Sequence, residues 1–180
     1  GKWNDAAKAY RKWSAENAIW MKKGPLVSRK DRSEDFRDIG MWFLFQYNHA
    51  IPLSRTEQEL GKAHSLVNGR FPIAVHIYSW HKHPHDVLVP DYFPAREGFA
   101  EMVGRLRKKG IRVMPYLNGR IWDWGHGDFK KVEKWMCRLA NGKLHNERWG
   151  DRDFSAVCPA VDMWGDWLVD IGRKTVEDYG

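Results

Sequence analysis

Two short segments carry most of the side chains that could bind or transform a small polar molecule. The first reads Trp80-His81-Lys82-His83-Pro84-His85-Asp86, and the second reads Asn118-Gly119-Arg120-Ile121-Trp122-Asp123. An indole ring offers a flat apolar face for a sugar ring to stack on, while its N–H can still hydrogen-bond. Carboxylate, imidazole, amide and guanidinium groups beside such a ring can bind hydroxyl groups. Both segments are therefore candidates for a carbohydrate-binding site.

The first segment has two functional interpretations and one structural one. Trp80 can stack on a sugar while His81 and Asp86 bind hydroxyls, although a solvated loop accounts equally well for Trp80 and Asp86. Alternate side chains of a strand share a face, so His81 and His83 are an alternative metal-binding pair. Pro84 interrupts any regular strand there, and no further ligands occur at a matching strand end. No metal and no other cofactor is therefore expected.

The second segment supplies the expected substrate-binding residues Asn118, Arg120 and Trp122. Arg120 can bind sugar hydroxyls, or it can hold the carboxylate of an acidic sugar with a bidentate fork. Asp123 is a candidate catalytic carboxylate, although a binding or orienting role is favoured, and an ion pair with Arg120 is the structural alternative. A nucleophilic serine is not indicated, because no Gly-x-Ser-x-Gly pattern occurs.

The composition is that of an ordinary globular protein with an excess of tryptophan. The chain is 43% hydrophobic and 29% charged, with a net charge of +7. Its basic residues alternate with acidic ones or end a helix, as at 105–109, so a nucleic-acid partner is not expected. No apolar run is long enough to span a bilayer and no leader is recognisable, so a membrane partner is not expected and localisation stays open. Cys137 and Cys158 are expected to be buried free thiols, although spacing alone does not decide whether they pair.

Eight of the eleven tryptophans form two groups. One group lies in polar loops and is available for sugar stacking: Trp80, Trp122, Trp124 and Trp149. The other group lies in apolar patterns that predict core positions: Trp13, Trp42, Trp135 and Trp167.

Hydrophobic patterns predict an alternation of helices and strands. Near-continuous apolar runs at 39–47, 71–79 and 111–117 are typical of strands buried on both faces. Helices are predicted at 3–22, 54–67, 96–109, 128–140 and 163–179, and Ser54 and Glu57 form a capping box that opens the second. This alternation predicts βαβ units and a parallel sheet. Long aromatic loops after the strands favour a (β/α)₈ barrel, and a doubly wound fold lacks its Gly-rich phosphate loop.

The predicted organisation is an N-terminal helix and connector at 1–38, followed at 39–180 by the first βα units of an incomplete TIM-type barrel. Such a barrel takes about 250 residues and eight strands, whereas three strands are predicted here. We therefore expect an α/β fragment whose partner is the remainder of the barrel.

The helix-and-strand segment from Phe99 to Asn118, Phe-Ala-Glu-Met-Val-Gly-Arg-Leu-Arg-Lys-Lys-Gly-Ile-Arg-Val-Met-Pro-Tyr-Leu-Asn, resembles TIM-barrel glycoside hydrolases. The flanking Tyr92-Phe-Pro and Val157-Cys-Pro-Ala stretches agree, and the resemblance covers about residues 39–180. It extends to the α-amylase and α-galactosidase superfamilies and to uncharacterised bacterial proteins related to them. The resemblance implies retaining hydrolysis of a glycosidic bond by two carboxylates.

In those superfamilies the nucleophile ends the fourth strand and the acid/base follows later. The resemblance therefore places both beyond Gly180, so that this chain supplies substrate-binding loops and is inactive alone. It also implies a bacterial secreted or periplasmic protein. Two alternatives remain open: a metal-dependent amidohydrolase-like barrel, and a non-catalytic carbohydrate-binding protein.

Overall fold

The computed structural model describes residues 1–25, 28–31, 38–45 and 48–180, and these form two units, Gly1–Ile39 and Gly40–Gly180. Three parts of the predicted organisation lie outside the described residues. Two of them, 26–27 and 32–37, belong to the predicted N-terminal helix and connector, and the third is Gln46-Tyr47, the end of the first predicted strand.

The N-terminal unit contains helix α1, Trp3–Asn17, and a 3₁₀ turn at Ile19–Met21. A single helix over 3–22 was predicted, but Ala18 adopts an extended conformation (ψ 132°) and ends α1. Its N–H still donates to the Ser14 carbonyl. Trp13 was predicted to be core; instead it is about half exposed and stacks on Tyr10.

The second unit is built on a parallel sheet of three strands. These are β1 (Met41–Phe45), β2 (Ile73–Ile77) and β3 (Ile111–Pro115), in the order β1-β2-β3. Helix α2 (Leu53–Val67) joins the first pair and helix α3 (Phe99–Lys108) joins the second. The prediction of alternating helices and strands with a parallel sheet is confirmed.

The helices cover one face of this sheet. Side chains of α2, α3 and α5 (Asp162–Tyr179) pack there against alternate residues of the strands. The buried members include Leu60, Ile73, Val75, Ile77, Phe99, Met102, Leu106, Ile111 and Ile171. Because successive strand residues point to opposite faces, the remaining residues of each strand form a second face.

That second face is largely open. Trp42 is 46% exposed and Leu44 is 54% exposed, and Met114 lies in register with Leu44 across the sheet through His76. Two predictions were wrong here: Trp42 is not a core residue, and β1 is not buried on both faces. Apolar strand patterns report the average surroundings of a strand, and among the described residues only one face has a covering layer.

Helix α2 begins differently from the prediction. Pro52 is its N-cap and Ser54 lies within the first turn, so the predicted capping box is wrong. Glu57 instead pairs with Arg105 of α3, whose side-chain nitrogens lie 2.8–3.1 Å from the carboxylate. This ion pair joins two adjacent helices and holds the pKa of Glu57 below its ordinary value.

A second sheet, wholly antiparallel, lies between β3 and α5. It contains β4 (Ile121–Asp123), β5 (Asn146–Trp149) and β6 (Arg152–Ala156), in the order β4-β6-β5. Gly150, with a φ of 63°, allows the tight turn between β5 and β6. A helix over 128–140 was predicted, but only α4 (Phe129–Val132) and a 3₁₀ turn (Glu133–Trp135) form there.

The second sheet has its own apolar cluster. Trp122, Phe129, Val132, Met136, Val157 and Trp164 are buried in it, and Trp135 and Trp167 pack against them, as predicted for those two. Burial of these large side chains shapes the segment more strongly than its helical periodicity. The two cysteines are free and half-buried. No helix in the described part of the chain is long and apolar enough to cross a membrane.

Candidate functional site

Two tyrosines lie at the carboxyl ends of the parallel strands β2 and β3. Tyr78 follows β2 and donates its N–H to the Phe45 carbonyl (3.1 Å), and Tyr116 follows β3 and donates to Ile77 (2.8 Å). Their rings stack with centroids 4.4 Å apart and planes inclined by 15°. Both continue the open face of the sheet, since they alternate with core residues.

A histidine from the following loop contacts these rings, and a carboxylate contacts that histidine. The His85 ring meets Tyr78 and Tyr116 edge-on, with centroids 5.1 and 5.3 Å away. His85 Nε2 lies 3.1 Å from Asp86 Oδ2, and the Asp86 side chain is 16% exposed. The other carboxylate oxygen, Oδ1, is buried and has no hydrogen-bond partner among the described residues. Buried acceptors are nearly always paired, so this oxygen is suited to receive a hydroxyl from outside the described chain.

Asn118 connects this group to the second sheet. Its Nδ2 donates to the Tyr116 hydroxyl (3.0 Å), and its Oδ1 accepts from the backbone N–H groups of Arg120 (3.0 Å) and Ile121 (3.3 Å). The Tyr92 hydroxyl accepts from the Asn118 N–H at 2.6 Å. We call Tyr78, His85, Asp86, Tyr116 and Asn118 the strand-end cluster. Asp86 and Asn118 are the predicted site residues that lie within it.

Trp80 lies in the core rather than in an exposed loop. Its side chain is fully buried, its Nε1 donates to the Tyr116 carbonyl (2.8 Å), and its ring stacks on Tyr92. With Phe93, Phe99 and Tyr179 also in contact, neither ring face is open to a sugar. The prediction of an exposed stacking ring is therefore corrected. Trp80 therefore contacts the strand-end cluster from the core, through its hydrogen bond to the Tyr116 carbonyl.

The three alternating histidines have three different surroundings. His81 is buried against Trp80 and Tyr92, and burial, with smaller contributions from nearby histidines, lowers its pKa to about 4. His83 lies 3.2 Å from Asp91, and His85 belongs to the strand-end cluster. The described residues hold no group of three His, Cys, Asp or Glu side chains that could bind a metal ion. The alternative metal pair His81 and His83 thus lacks further ligands there.

Trp122 and Asp123 are structural residues of the second sheet. Trp122 is fully buried between Trp164 and Trp167, contrary to its predicted sugar contact. Asp123 was a candidate catalytic carboxylate, with a binding or orienting role favoured and an ion pair with Arg120 as the structural alternative. Instead it is buried and accepts hydrogen bonds from Arg152 Nε and from the N–H groups of Leu88 and Gly125, all at 2.7 Å. Its oxygens are fully engaged, so it is unsuited to attack or protonate a substrate.

Arg120 reaches β5 instead of Asp123. Both of its terminal nitrogens bind the Glu147 carboxylate, one of them at 2.9 Å, and its guanidinium lies 5.9 Å from the centre of the Trp149 ring. The hydrogen bonds to Glu147 are the main cause that raises the pKa of Arg120. We call Arg120, Glu147 and Trp149 the hairpin platform. One prediction was that Arg120 holds the carboxylate of an acidic sugar. Its guanidinium fork is already occupied by Glu147.

Sequence reasoning missed Tyr78, Tyr116 and His85. Strand parity could have found the tyrosines, since each follows the last core residue of its strand on the opposite face. His76, on the same face, contacts both tyrosine rings, and burial lowers its pKa. No sequence pattern pointed to Glu147. The resulting arrangement combines stacked aromatic rings, an imidazole and a carboxylate with one oxygen that lacks a hydrogen-bond partner among the described residues. These groups suit the binding of a polyhydroxylated ligand.

Known proteins similar to this chain are named as glycosidases. A protein of Bacteroides thetaiotaomicron named "Putative glycoside hydrolase" is 29% identical over 183 residues, which cover 98% of this chain and 26% of that protein. A protein of Monosiga brevicollis with a like name is 28% identical over 207 residues, covering 99% of this chain and 17% of that protein. The chain thus spans about a quarter of the first relative's length and 17% of the second's.

Two solved enzymes share the fold. A quadruple mutant of the α-N-acetylgalactosaminidase NagBb from Bifidobacterium bifidum has a TM-score of 0.71 at 16% identity, covering 97% of this chain and 32% of that chain. The α-galactosidase TtGalA from Thermus thermophilus has a TM-score of 0.60 at 17% identity, covering 79% and 29%. Residues 1–180 also match a family of proteins over their full extent. The chain belongs to that family, described as "Domain of unknown function (DUF6259)".

Proposed function

We propose that this chain is the substrate-binding first part of a glycoside hydrolase catalytic domain that acts on an oligo- or polysaccharide. The observation that carries the proposal is the strand-end cluster. Stacked Tyr78 and Tyr116 offer an aromatic surface, and Asp86 with His85 offers partners for hydroxyl groups. The names of the two curated relatives support the same reaction class.

The position of the cluster supports a barrel enzyme. In (β/α)₈ barrels the active site lies at the carboxyl ends of the strands, and the cluster lies at the carboxyl ends of β2 and β3. Parallel sheets normally have both faces covered, whereas Trp42 and Leu44 leave the second face of this sheet half exposed. We propose that further strands of a longer protein complete a barrel around that face.

Catalysis then requires carboxylates from outside the described residues. Retaining hydrolysis uses two carboxyl groups about 5–5.5 Å apart. Among the described residues of the strand-end cluster, Asp86 is the one carboxylate, and Asp123 is saturated with hydrogen bonds. We therefore propose that Asp86 binds substrate and that the nucleophile and the acid/base belong to the rest of the full-length protein.

The test uses the full-length protein and p-nitrophenyl glycosides of galactose, N-acetylgalactosamine and glucose, in both anomeric forms. We expect release of nitrophenol from one sugar, with retention of anomeric configuration in the first product seen by NMR. Asp86→Asn should lower kcat/KM about 10- to 100-fold, the loss of one charge-assisted hydrogen bond. Asp91→Asn is the matched control, because Asp91 lies in the same loop and pairs with His83 and Lys82 instead.

Three outcomes would contradict parts of this proposal. Absence of both turnover and sugar binding would refute the glycosidase assignment. Saturable binding of oligosaccharides without any turnover would favour a non-catalytic carbohydrate-binding protein. Turnover by the 180-residue chain alone would show that its own residues supply the catalytic pair.

A further inference from the structure

The β5–β6 hairpin carries an exposed aromatic ring that Arg120 links to the strand-end cluster. Trp149, the last residue of β5, is 42% exposed. Its ring packs at an angle against Phe154 of β6, 5.9 Å away between centroids. An exposed tryptophan whose backbone is fixed in a sheet is a rigid surface, so little conformational freedom is lost when a ligand stacks on it.

Hydrogen bonds hold the platform and the cluster in fixed relation. Asn118 donates to the Tyr116 hydroxyl and accepts from the Arg120 N–H, so one side chain touches both groups. The Arg120 carbonyl accepts from Val157 N–H (2.8 Å), which follows β6. Asn118 and Arg120 are separated by at most about 7 Å of backbone. Arg120 therefore joins the two groups, with its backbone N–H on Asn118 and its guanidinium near the Trp149 ring.

The charge of the platform is balanced. Arg120 and Glu147 form a bidentate ion pair, and the guanidinium lies within cation–π range of Trp149. A sugar carboxylate would compete with Glu147 for the same nitrogens and meet its negative charge. A neutral sugar meets no such repulsion and can use the outer N–H groups and carboxylate oxygens for its hydroxyls.

We infer that Trp149, with the Arg120–Glu147 pair, forms a second subsite that binds a neutral sugar unit next to the one held by the strand-end cluster. The inference rests on the proposed function, since it extends the same site by one or more sugar units. It predicts that the protein distinguishes oligosaccharides from monosaccharides through the hairpin.

The test compares Trp149→Ala with wild type in the full-length protein. The probes are neutral galactose, N-acetylgalactosamine and glucose series from one to four units, and binding is measured by calorimetry independently of turnover. Wild type should bind the longer members more tightly than the monosaccharides. Trp149→Ala should weaken binding of those longer members about 3- to 10-fold, the worth of one aromatic contact, and leave monosaccharides unchanged.

Two control variants separate stacking from folding. Trp149→Phe keeps a ring against Phe154 and should restore most of the affinity. Trp124→Ala removes a tryptophan of similar exposure (38%), which contacts Phe129 and Ser155 rather than Arg120, and should keep wild-type discrimination. If Trp149→Ala still bound longer oligosaccharides more tightly than monosaccharides, the subsite would be overturned. Turnover of aryl glycosides in that case would leave the proposed function intact. Failure of wild type to bind or cleave any sugar would overturn both.

Discussion

Replacement of Asp123 tests whether this carboxylate is structural or catalytic. It is buried, and it receives hydrogen bonds from Arg152, Leu88 and Gly125. Asp123→Ala would leave a guanidinium and two backbone N–H groups without their acceptor. Breaking a buried ion pair in this way costs about 3–5 kcal/mol. We expect a loss of that size in the free energy of unfolding of the 180-residue chain.

Asp123→Asn keeps the volume of the side chain but replaces one acceptor oxygen with a donor nitrogen. That nitrogen would face an N–H group or Arg152, so we expect a loss of about 1–3 kcal/mol, the cost of leaving one buried donor unsatisfied. The control Asp128→Ala removes an exposed carboxylate that pairs only across one helical turn with Lys131, and it should leave stability nearly unchanged.

The assay is a guanidinium titration followed by circular dichroism and tryptophan fluorescence. Coincident transitions and an unchanged slope would allow the midpoints to be compared as free energies. The reasoning is refuted if Asp123→Ala costs less than about 1 kcal/mol. If Asp123→Ala had this small effect on stability and yet abolished turnover in the full-length protein, Asp123 would have to be reassigned to catalysis.

Two further predictions concern charge. Burial lowers the pKa of His81 to about 4 from an ordinary 6.5. Between these two pH values the unfolded chain binds a proton at His81 that the folded chain does not. The free energy of unfolding should therefore be highest above pH 6.5 and fall by up to about 3 kcal/mol as the pH drops to 4. His81→Gln should flatten this part of a stability–pH profile measured by denaturant midpoints, and a profile identical to wild type would exclude His81 as the cause. Glu147→Gln should leave Arg120 with an unbalanced charge and raise affinity for uronic-acid oligosaccharides about 2- to 5-fold relative to neutral ones, the effect of one partly exposed ion pair. Calorimetry on matched neutral and acidic trisaccharides checks this, and an unchanged ratio would mean that the ion pair does not set charge preference.

Local pattern was sufficient for the parallel layer of the fold. The apolar runs around β1, β2 and β3 and the amphipathic period of α3 identified these elements within a few residues. This is because a helix or strand that packs on a core must repeat its apolar residues with its own period. Asp86 and Asn118 were proposed as binding residues from their side-chain types in the loops that follow β2 and β3, and both lie in the strand-end cluster.

Tertiary packing decided which tryptophan side chains are exposed at the surface. Trp80 and Trp122, which lie in polar stretches, are buried, whereas Trp13 and Trp42, which lie in apolar stretches, are about half exposed. A sequence window reports the neighbours of a residue along the chain. Burial depends on what packs across space: Trp164 and Trp167 of α5 cover Trp122, while the second face of the parallel sheet stays open among the described residues.

The partners of charged groups were likewise a property of the folded chain. An ion pair between Arg120 and Asp123, three residues apart, was the structural alternative for Asp123, yet the folded chain pairs Arg120 with Glu147 and Asp123 with Arg152. The sequence by itself determined the types of groups present and the strands that carry them. Only the tertiary structure decided that Asp123 is saturated and Asp86 is not. Asp123 Oδ2 accepts from Leu88 and Arg152, which lie 35 and 29 residues away along the chain, whereas Asp86 Oδ1 has no partner among the described residues.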